Sequence, residues 1–213
     1  MKINPEFLPL VEWWEKDGRQ IVTLLLAAAV VAGGWYWWKN HKAAVRVAAS
    51  DALINAYTTE ELEDSVSKFS GTATEGALKL RLAKSYFDAG RYEEALSQYE
   101  SLAGNAPDGF ADIPQVGKAQ CLEALGRFDE AVKAFDAFAE AGSASYLKLT
   151  AQLGAARSIA QAGDKKKALA RLDALKAANK DDELAKARIE ATEQVVKRYE
   201  KKAPAEKAPA AAK

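Results

Sequence analysis

The sequence predicts an all-α protein in which a single N-terminal transmembrane helix is followed by a solenoid of helix-turn-helix repeats. The first observation behind this is a run of 18 uncharged residues from Ile21 to Trp38. The second is a seven-residue cassette that begins at Gly90, returns at Gly126 after 36 residues, and returns in weaker form at Gly163 after 37 more. Internal periodicity of this length is typical of helical repeat proteins.

The overall charge is balanced, with 30 basic and 30 acidic side chains among 213 residues. Proteins that bind nucleic acid by neutralising phosphates usually carry a basic excess, so no nucleic-acid partner is predicted. The chain has one cysteine, Cys121, and one histidine, His41. This excludes an internal disulfide and leaves almost nothing for a zinc site or for a Cys–His nucleophile.

The uncharged run is long enough to cross a bilayer, because 18 helical residues span about 27 Å. Arg19 closes its N-terminal end, and Lys39 and Lys42 follow its C-terminal end. The four aromatic residues 35–38 lie at one edge, where such rings favour the headgroup layer. We therefore predict a juxtamembrane segment at 1–20 and a transmembrane helix at 21–38.

A cleaved signal peptide and a buried core helix are the two alternatives for this segment. A signal peptide has a short basic n-region and a small-residue cleavage site. Here the preceding 20 residues include four acidic side chains, and the run ends in four aromatic residues. A retained anchor is thus favoured. Three basic residues precede the span and three follow it closely, so the charge distribution leaves the orientation open.

The repeats follow the 34-residue tetratricopeptide pattern when the first is numbered from Gly76. Seven residues then occupy the signature positions 7, 8, 11, 15, 20, 24 and 32: Leu82, Ala83, Tyr86, Gly90, Ala95, Tyr99 and Pro107. The alanines allow the two helices of a repeat to cross closely, and the tyrosines fill the space around the crossing. We expect Gly90 to end the first helix in a left-handed cap and Pro107 to stop the second helix.

The signature weakens along the chain. The second repeat, from Asp112, supplies Ala119, Leu122, Gly126, Ala131, Phe135 and Phe138. The third, from Leu149, supplies Ala156, Ile159, Gly163, Ala168, Leu172 and Leu175. Because the third repeat has no aromatic residue at positions 11 and 24, we expect its helix crossing to be looser. The three repeats together occupy residues 76–180.

Further helical segments flank the repeats. Residues 39–70 are interpreted as a linker helix and an N-terminal half-repeat, with helical patterns at 48–57 and 60–69 and a capping box between Thr58 and Glu61. Residues 181–201 are predicted to form a helix that covers the last repeat. Its expected apolar positions are Leu184, Ile189, Val195, Val196 and Tyr199. Residues 202–213 contain only Ala, Pro, Lys and Glu, a composition typical of disorder.

No phosphate-binding loop, nucleophile elbow or metal-binding motif occurs. Acidic pairs such as Glu93-Glu94 fall at the first turn of a predicted helix, where carboxylates favour the helix N-terminus. We therefore predict no catalytic, cofactor-binding or metal-binding residues, no small-molecule substrate, and no enzymatic activity.

A binding groove is predicted instead, on the surface formed by the first helix of each repeat. It is expected to be lined by Leu80, Lys84, Phe87, Val116, Gln120, Glu123, Leu153 and Arg157. This set mixes apolar and charged side chains, as suits a peptide or a partner helix. The apolar residues at position 5 argue against a clamp for a C-terminal carboxylate.

The layout resembles the YfgM-like tetratricopeptide proteins of bacterial inner membranes, which are ancillary subunits of the SecYEG translocon. The residues that carry the resemblance are Gly18 before the apolar run, Gly34 to Trp37 at its end, the segment 76–83, and the segment 88–92. The resemblance implies an N-terminus in the cytoplasm, repeats in the periplasm, and a place in the inner membrane beside the translocon with periplasmic chaperones.

Two functional hypotheses follow. The first is a membrane-anchored scaffold that binds protein partners near the translocon. The second is a scaffold for outer-membrane or cell-wall assembly that has no attachment to the translocon.

Overall fold

The computed structural model describes residues 13, 16, 18–102, 106, 109–141 and 146–199. The chain divides into two compact units, Met1–Asp51 and Ala52–Lys213, each described by itself. Within the described residues all regular structure is helical, as predicted. The helices are α1 (Arg19–Asn55), α2 (Thr59–Lys68), α3 (Glu75–Asp88), α4 (Tyr92–Ser101), α5 (Asp112–Ala124), α6 (Phe128–Glu140), α7 (Lys148–Gln161), α8 (Lys165–Ala178) and α9 (Glu183–Arg198).

Helix α1 contains the uncharged run and is long and apolar enough to cross a membrane. The qualifying stretch is Gln20–Asn55, with a mean hydropathy of 1.7 in its most apolar window. None of that window is buried within the chain, and Leu24 and Val30 are 69% and 74% exposed. The apolar surface of α1 is therefore not part of a core among the described residues.

The start predicted for the helix at residues 48–57 is wrong, because residues 48–55 are the last turns of α1. The physical reason is local, since no Gly or Pro occurs between Trp35 and Asn55 and nothing in the sequence stops helix propagation.

The capping box predicted at the start of α2 is confirmed. Thr58 Oγ1 accepts from the backbone N–H of Glu61 at 3.2 Å, and the Glu61 carboxylate accepts from the backbone N–H of Thr58 at 3.1 Å.

The signature residues of the repeats form the core of the second unit. The alanines at positions 8 and 20 of all three repeats are completely buried: Ala83, Ala95, Ala119, Ala131, Ala156 and Ala168. The larger residues at positions 11 and 24 surround them, with Tyr86 and Tyr99 in the first repeat 7% and 6% exposed. The α3–α4, α5–α6 and α7–α8 pairs are thus three packed helical hairpins, as the sequence predicts.

Each hairpin turns through the same hydrogen-bonded cap. Gly90, with φ of 77°, donates its N–H to the carbonyl of Phe87, and Arg91 donates to the carbonyl of Tyr86. These two bonds define a Schellman motif, which requires a left-handed residue at the position of the glycine. The same pair of bonds recurs at Gly126 and Gly163. The left-handed cap predicted at Gly90 is confirmed, and it closes all three repeats.

The third repeat packs together with α9. Ile159 and Leu172, which replace the aromatic residues, are 5% and 1% exposed, so their burial gives no sign of the looser crossing that we expected. Ile189 and Val196 of α9 are fully buried in the same cluster. Helix α9 therefore covers the last repeat, as a terminal helix of a solenoid must.

Two of the apolar positions predicted in α9 are wrong. Leu184 is 74% exposed and Val195 is 42% exposed. The helix begins at Glu183, after Asp182 caps it by accepting from the backbone N–H of Ala185 at 2.9 Å. The buried stripe consists of Ala185, Ile189, Thr192 and Val196, and at 3.6 residues per turn Leu184 and Val195 lie roughly 120–140° from Ile189 around the helix axis.

Three sequence predictions lie outside the described residues: the stop at Pro107, most of the juxtamembrane segment 1–20, and the tail 202–213.

Candidate functional site

A cleft with a volume of about 640 Å³, here called the first cleft, opens beside the first repeat. Its walls come from the end of α1, from α2, α3 and α4, and from the start of α5. The lining residues are Leu53, Tyr57, Leu62, Ala77, Leu80, Arg81, Lys84, Ser85, Asp88, Tyr99, Phe110 and Ile113.

Exposed aromatic side chains mark the rim of the first cleft, and buried apolar side chains form its floor. Tyr57 and Phe110 are 78% and 51% exposed, whereas Leu62 and Tyr99 are buried. Tyr57 directly precedes the capping box of α2, and Phe110 directly precedes Ala111, the N-cap residue of α5. Large exposed aromatic rings beside an apolar recess are characteristic of protein-binding surfaces.

The charged groups in the first cleft bind one another or the backbone. Arg81 directs its guanidinium at the C-terminal end of α1, where it donates to the carbonyl of Leu53 and, at 2.6 Å, to the carbonyl of Ala56. Carbonyls at a helix end lack partners within the helix, so this arginine caps α1. Lys84 forms an ion pair with Asp88 one turn further along α3.

A second cleft, of about 400 Å³, shares α3 and α5 with the first and is completed by α6 and α7. It is lined by Phe87, Gln120, Glu123, Ala124, Gly126, Phe128, Arg157 and Gln161. Arg157 holds the carboxylate of Glu123 with two parallel hydrogen bonds of 3.0 and 2.8 Å. Gln161 donates to the same carboxylate at 2.9 Å and to the hydroxyl of Tyr199 at 3.1 Å. This wall is therefore polar and fixed by its own hydrogen bonds.

Six of the eight predicted groove residues line these clefts. Leu80 and Lys84 lie in the first, and four lie in the second: Phe87, Gln120, Glu123 and Arg157. Val116 and Leu153 belong to neither and are only 3% and 4% exposed. Their side chains pack in the core beneath the helices, so they support the surface without forming part of it.

Sequence reasoning missed the aromatic rim, because it considered only positions on the first helix of each repeat. Tyr57 and Phe110 lie in the connections between helices. The signal available in the sequence was an aromatic residue shortly before a predicted helix start. It also missed a recess of about 530 Å³ among α7, α8 and α9. Tyr146 and Leu184, which are 77% and 74% exposed, line that recess.

Three titratable groups of the first two repeats have pKa values that burial raises. Burial raises the pKa of the Cys121 thiol to about 12 and the pKa of the Tyr99 phenol to about 12. Burial, and then the hydrogen bond to Glu63, raise the pKa of Tyr86 to about 12. Within the part of the chain that the structure describes, no group of three or more His, Cys, Asp or Glu side chains could hold a metal ion.

The hairpins, their glycine caps and the alanine crossings define a helical-repeat protein of the tetratricopeptide type. The sequence comparisons identify the family. A profile of the tetratricopeptide repeat-like domain matches residues 11–145, which is more than half of the chain, and a tetratricopeptide repeat profile matches residues 116–183. The chain belongs to the tetratricopeptide repeat-like domain family. Searches of curated proteins and of solved structures found no match.

Tetratricopeptide domains are protein-interaction scaffolds and generally lack enzymatic activity. The clefts on α3, α5 and α7 therefore form the candidate binding site of this protein.

Proposed function

We propose that this protein is a membrane-anchored scaffold that binds a segment of a partner protein in the first and second clefts. The observation that carries the proposal is the arrangement of the two clefts. Both are lined by the first helices of the repeats, and Lys84 of the first cleft lies one turn from Phe87 of the second. One bound segment can therefore contact both clefts.

The two clefts differ in the side chains that they suit. The first has an apolar floor, aromatic rim residues and charges that are already paired, so it suits large aliphatic or aromatic side chains. The second presents the amides of Gln120 and Gln161 beside the Glu123–Arg157 pair. Its groups suit polar side chains or the backbone of an extended peptide. We infer a ligand with an apolar anchor at one end and polar groups at the other.

The membrane anchor of this proposal is α1. Its uncharged run has the length of a bilayer core, its side chains are exposed, and aromatic and basic residues follow at one end. A helix with this exposed apolar surface is stable in a membrane and insoluble in water. Anchoring would confine the protein to the membrane in which its proposed partners are found.

We place the scaffold at the SecYEG translocon, with its repeats in the periplasm and with translocon subunits and periplasmic chaperones as partners. The support for this placement is the resemblance of the sequence to the YfgM-like proteins, whereas the family match supports the scaffold role alone. The alternative is a scaffold for outer-membrane or cell-wall assembly, which needs the same anchor and the same clefts but different partners.

Site-specific photo-crosslinking of the full chain in membranes tests the proposal. Crosslinkers replace Lys84 or Phe87 in the clefts, and matched controls replace Ser97 of α4 or Lys133 of α6, which are exposed outside them. We expect translocon or chaperone subunits to be captured from the cleft positions alone. Capture of envelope-assembly proteins would select the alternative. Equal capture at control and cleft positions would contradict both versions.

A reporter that is active only outside the cytoplasm, fused after Lys213, tests the placement of the repeats. We expect activity. A reporter that is active only in the cytoplasm would place the clefts on the other side and remove periplasmic chaperones from the list of partners.

A further inference from the structure

One face of α1 combines aromatic rings and cations immediately after the uncharged run. It is formed by Trp35, Trp38, Lys39, Lys42 and Arg46, here called the basic–aromatic face. At 3.6 residues per turn these five positions fall within an arc of about 100° around the helix axis. Trp35 and Trp38 are 60% and 50% exposed.

The lysines are held against the rings on this face. The ammonium of Lys39 lies 5.3 Å from the centre of the Trp35 ring, and that of Lys42 lies 3.9 Å from the centre of the Trp38 ring. Both are cation–π contacts between residues one turn apart. Such a contact orients the ammonium while leaving its N–H donors free to bind an anion on the side away from the ring.

The charge of this part of α1 has a single sign. No Asp or Glu occurs from residue 20 to residue 50, whereas Lys39, Lys42 and Arg46 are all basic. The spacing i, i+3 and i+7 places the three cations along one side of the helix. An anionic ligand on that side meets three positive charges and no nearby carboxylate from this segment.

The opposite face of α1 is different. Trp37 and His41 lie there, and their rings stack at a centroid distance of 5.4 Å with an interplanar angle of 10°. This face carries aromatic rings without a lysine or arginine. The aromatic residues thus surround the helix at one level, but the fixed positive charge lies on one side only.

We propose that the basic–aromatic face binds the headgroup of an anionic phospholipid. The inference rests on the proposed membrane anchor, since it requires α1 to lie in a bilayer. Tryptophan rings favour the membrane–water interface, which fixes their depth. Lys39 follows Trp35 by about 6 Å along the axis, so its ammonium lies at the level of the phosphates. The headgroup phosphate accepts from the ammonium and guanidinium groups, and the acyl chains lie along the tryptophans.

Lipid retention by the full chain tests this inference. The protein is reconstituted in nanodiscs of equal parts phosphatidylglycerol and phosphatidylcholine, and native mass spectrometry counts the lipids that stay bound. We expect phosphatidylglycerol to be retained in preference to phosphatidylcholine. Each neutralised cation on this face should lower the preference for phosphatidylglycerol roughly fivefold. The triple variant with Lys39→Gln, Lys42→Gln and Arg46→Gln should therefore lose the preference, whereas Lys42→Arg should keep it.

Two control variants separate this face from the net charge. The first control is a triple variant that removes the same charge from exposed positions in the repeats: Lys166→Gln, Lys167→Gln and Lys180→Gln. The second control, His41→Gln, alters the opposite face of α1. Both should retain phosphatidylglycerol as the wild type does. Insertion of the chain into the nanodisc without a preference for phosphatidylglycerol would overturn the inference. A chain that fails to enter the nanodisc would instead overturn the proposed anchor.

Discussion

The ring of Tyr99 in the first repeat lies directly against the backbone of Gly117 in the second. A Cβ atom at Gly117 would lie 2.6 Å from Cζ of that ring, closer than side chains approach one another. Phe135 and Gly154 repeat the relationship one hairpin later, where the corresponding distance is 2.5 Å. In both cases an aromatic residue at position 24 meets a glycine at position 6 of the next repeat. This contact sets how closely neighbouring hairpins pack.

Replacing Gly117 with Ala should therefore destabilise the protein, although alanine is normally the better helix former by up to about 1 kcal/mol. Overpacking against the Tyr99 ring should outweigh that gain and cost about 1–2 kcal/mol net. Urea unfolding of the full chain in detergent, followed by circular dichroism, measures the change. The double variant with Tyr99→Leu serves as the control, since alanine at position 117 should cost less once the ring is gone. A stabilising Gly117→Ala would contradict the close approach.

The guanidinium of Arg81 should be irreplaceable by another cation. Arg81→Lys keeps the charge but cannot donate to the carbonyls of Leu53 and Ala56 together, because lysine lacks the planar fork. We expect a loss of about 1–2 kcal/mol and faster amide hydrogen exchange at the end of α1. Arg198→Lys, which replaces an exposed arginine at the end of α9, should change neither. Identical exchange in Arg81→Lys and wild type would show that the cap contributes nothing.

The buried Cys121 should resist alkylation while the protein is folded. Burial raises its pKa to about 12, so very little reactive thiolate exists even at pH 9, and the side chain has no exposed surface. Iodoacetamide labelling measured by mass spectrometry should be slow in the native protein and fast in urea. A thiol introduced at the exposed Ser97 should react quickly under native conditions. Rapid native labelling of Cys121 would place it at the surface.

The carboxyl group of Glu130 should titrate at an unusually low pH. The guanidinium of Arg127, which donates to it at 2.8 Å, holds the pKa of Glu130 below its ordinary value of 4.5. The pair stabilises the folded state above about pH 4.5, and this contribution disappears as the pH falls through the lowered pKa. Carboxyl NMR should show the low pKa in the wild type and a rise in Arg127→Gln. An unchanged pKa in that variant would exclude the ion pair as its cause.

Two residues of α9 should differ sharply in their effect on stability. Ile189 is fully buried, so Ile189→Ala should cost about 2–4 kcal/mol. Leu184 is 74% exposed, and Leu184→Ala should change stability by less than about 0.5 kcal/mol. Thermal or urea unfolding of the two variants measures both values. Similar losses would contradict the observed register of α9.

The repeat hairpins were predictable because their determinants are local. Gly90 readily adopts the left-handed conformation that ends the helix in this cap. Ala83 is small enough to allow a close helix crossing, whichever residues lie on the partner helix. The surface was less predictable. Val116 and Leu153 share position 5 with Leu80, yet only Leu80 reaches a cleft, because exposure at this position depends on how the neighbouring helices pack.

Contacts between repeats were also missed. Tyr99 was expected to fill the crossing within its own repeat, and its contact with Gly117 depends on how the next hairpin packs. The available signal was a glycine inside each of two helices, where it costs about 1 kcal/mol relative to alanine unless packing requires it. Leu184 was a different kind of error, since it lies roughly 140° from Ile189 around α9 and helical periodicity alone places it off the buried side.

The residue at position 6 distinguishes the first repeat from the two repeats that follow it. In the second and third repeats it is Gly117 and Gly154, which each admit a ring from the hairpin before. In the first repeat it is Arg81, whose side chain occupies that space and holds the end of α1. A duplicated hairpin inserted ahead of Gly76 would press its aromatic residue against this guanidinium. The array can therefore lengthen by duplication of its interior repeats, but a repeat placed ahead of the first would have to displace the side chain of Arg81.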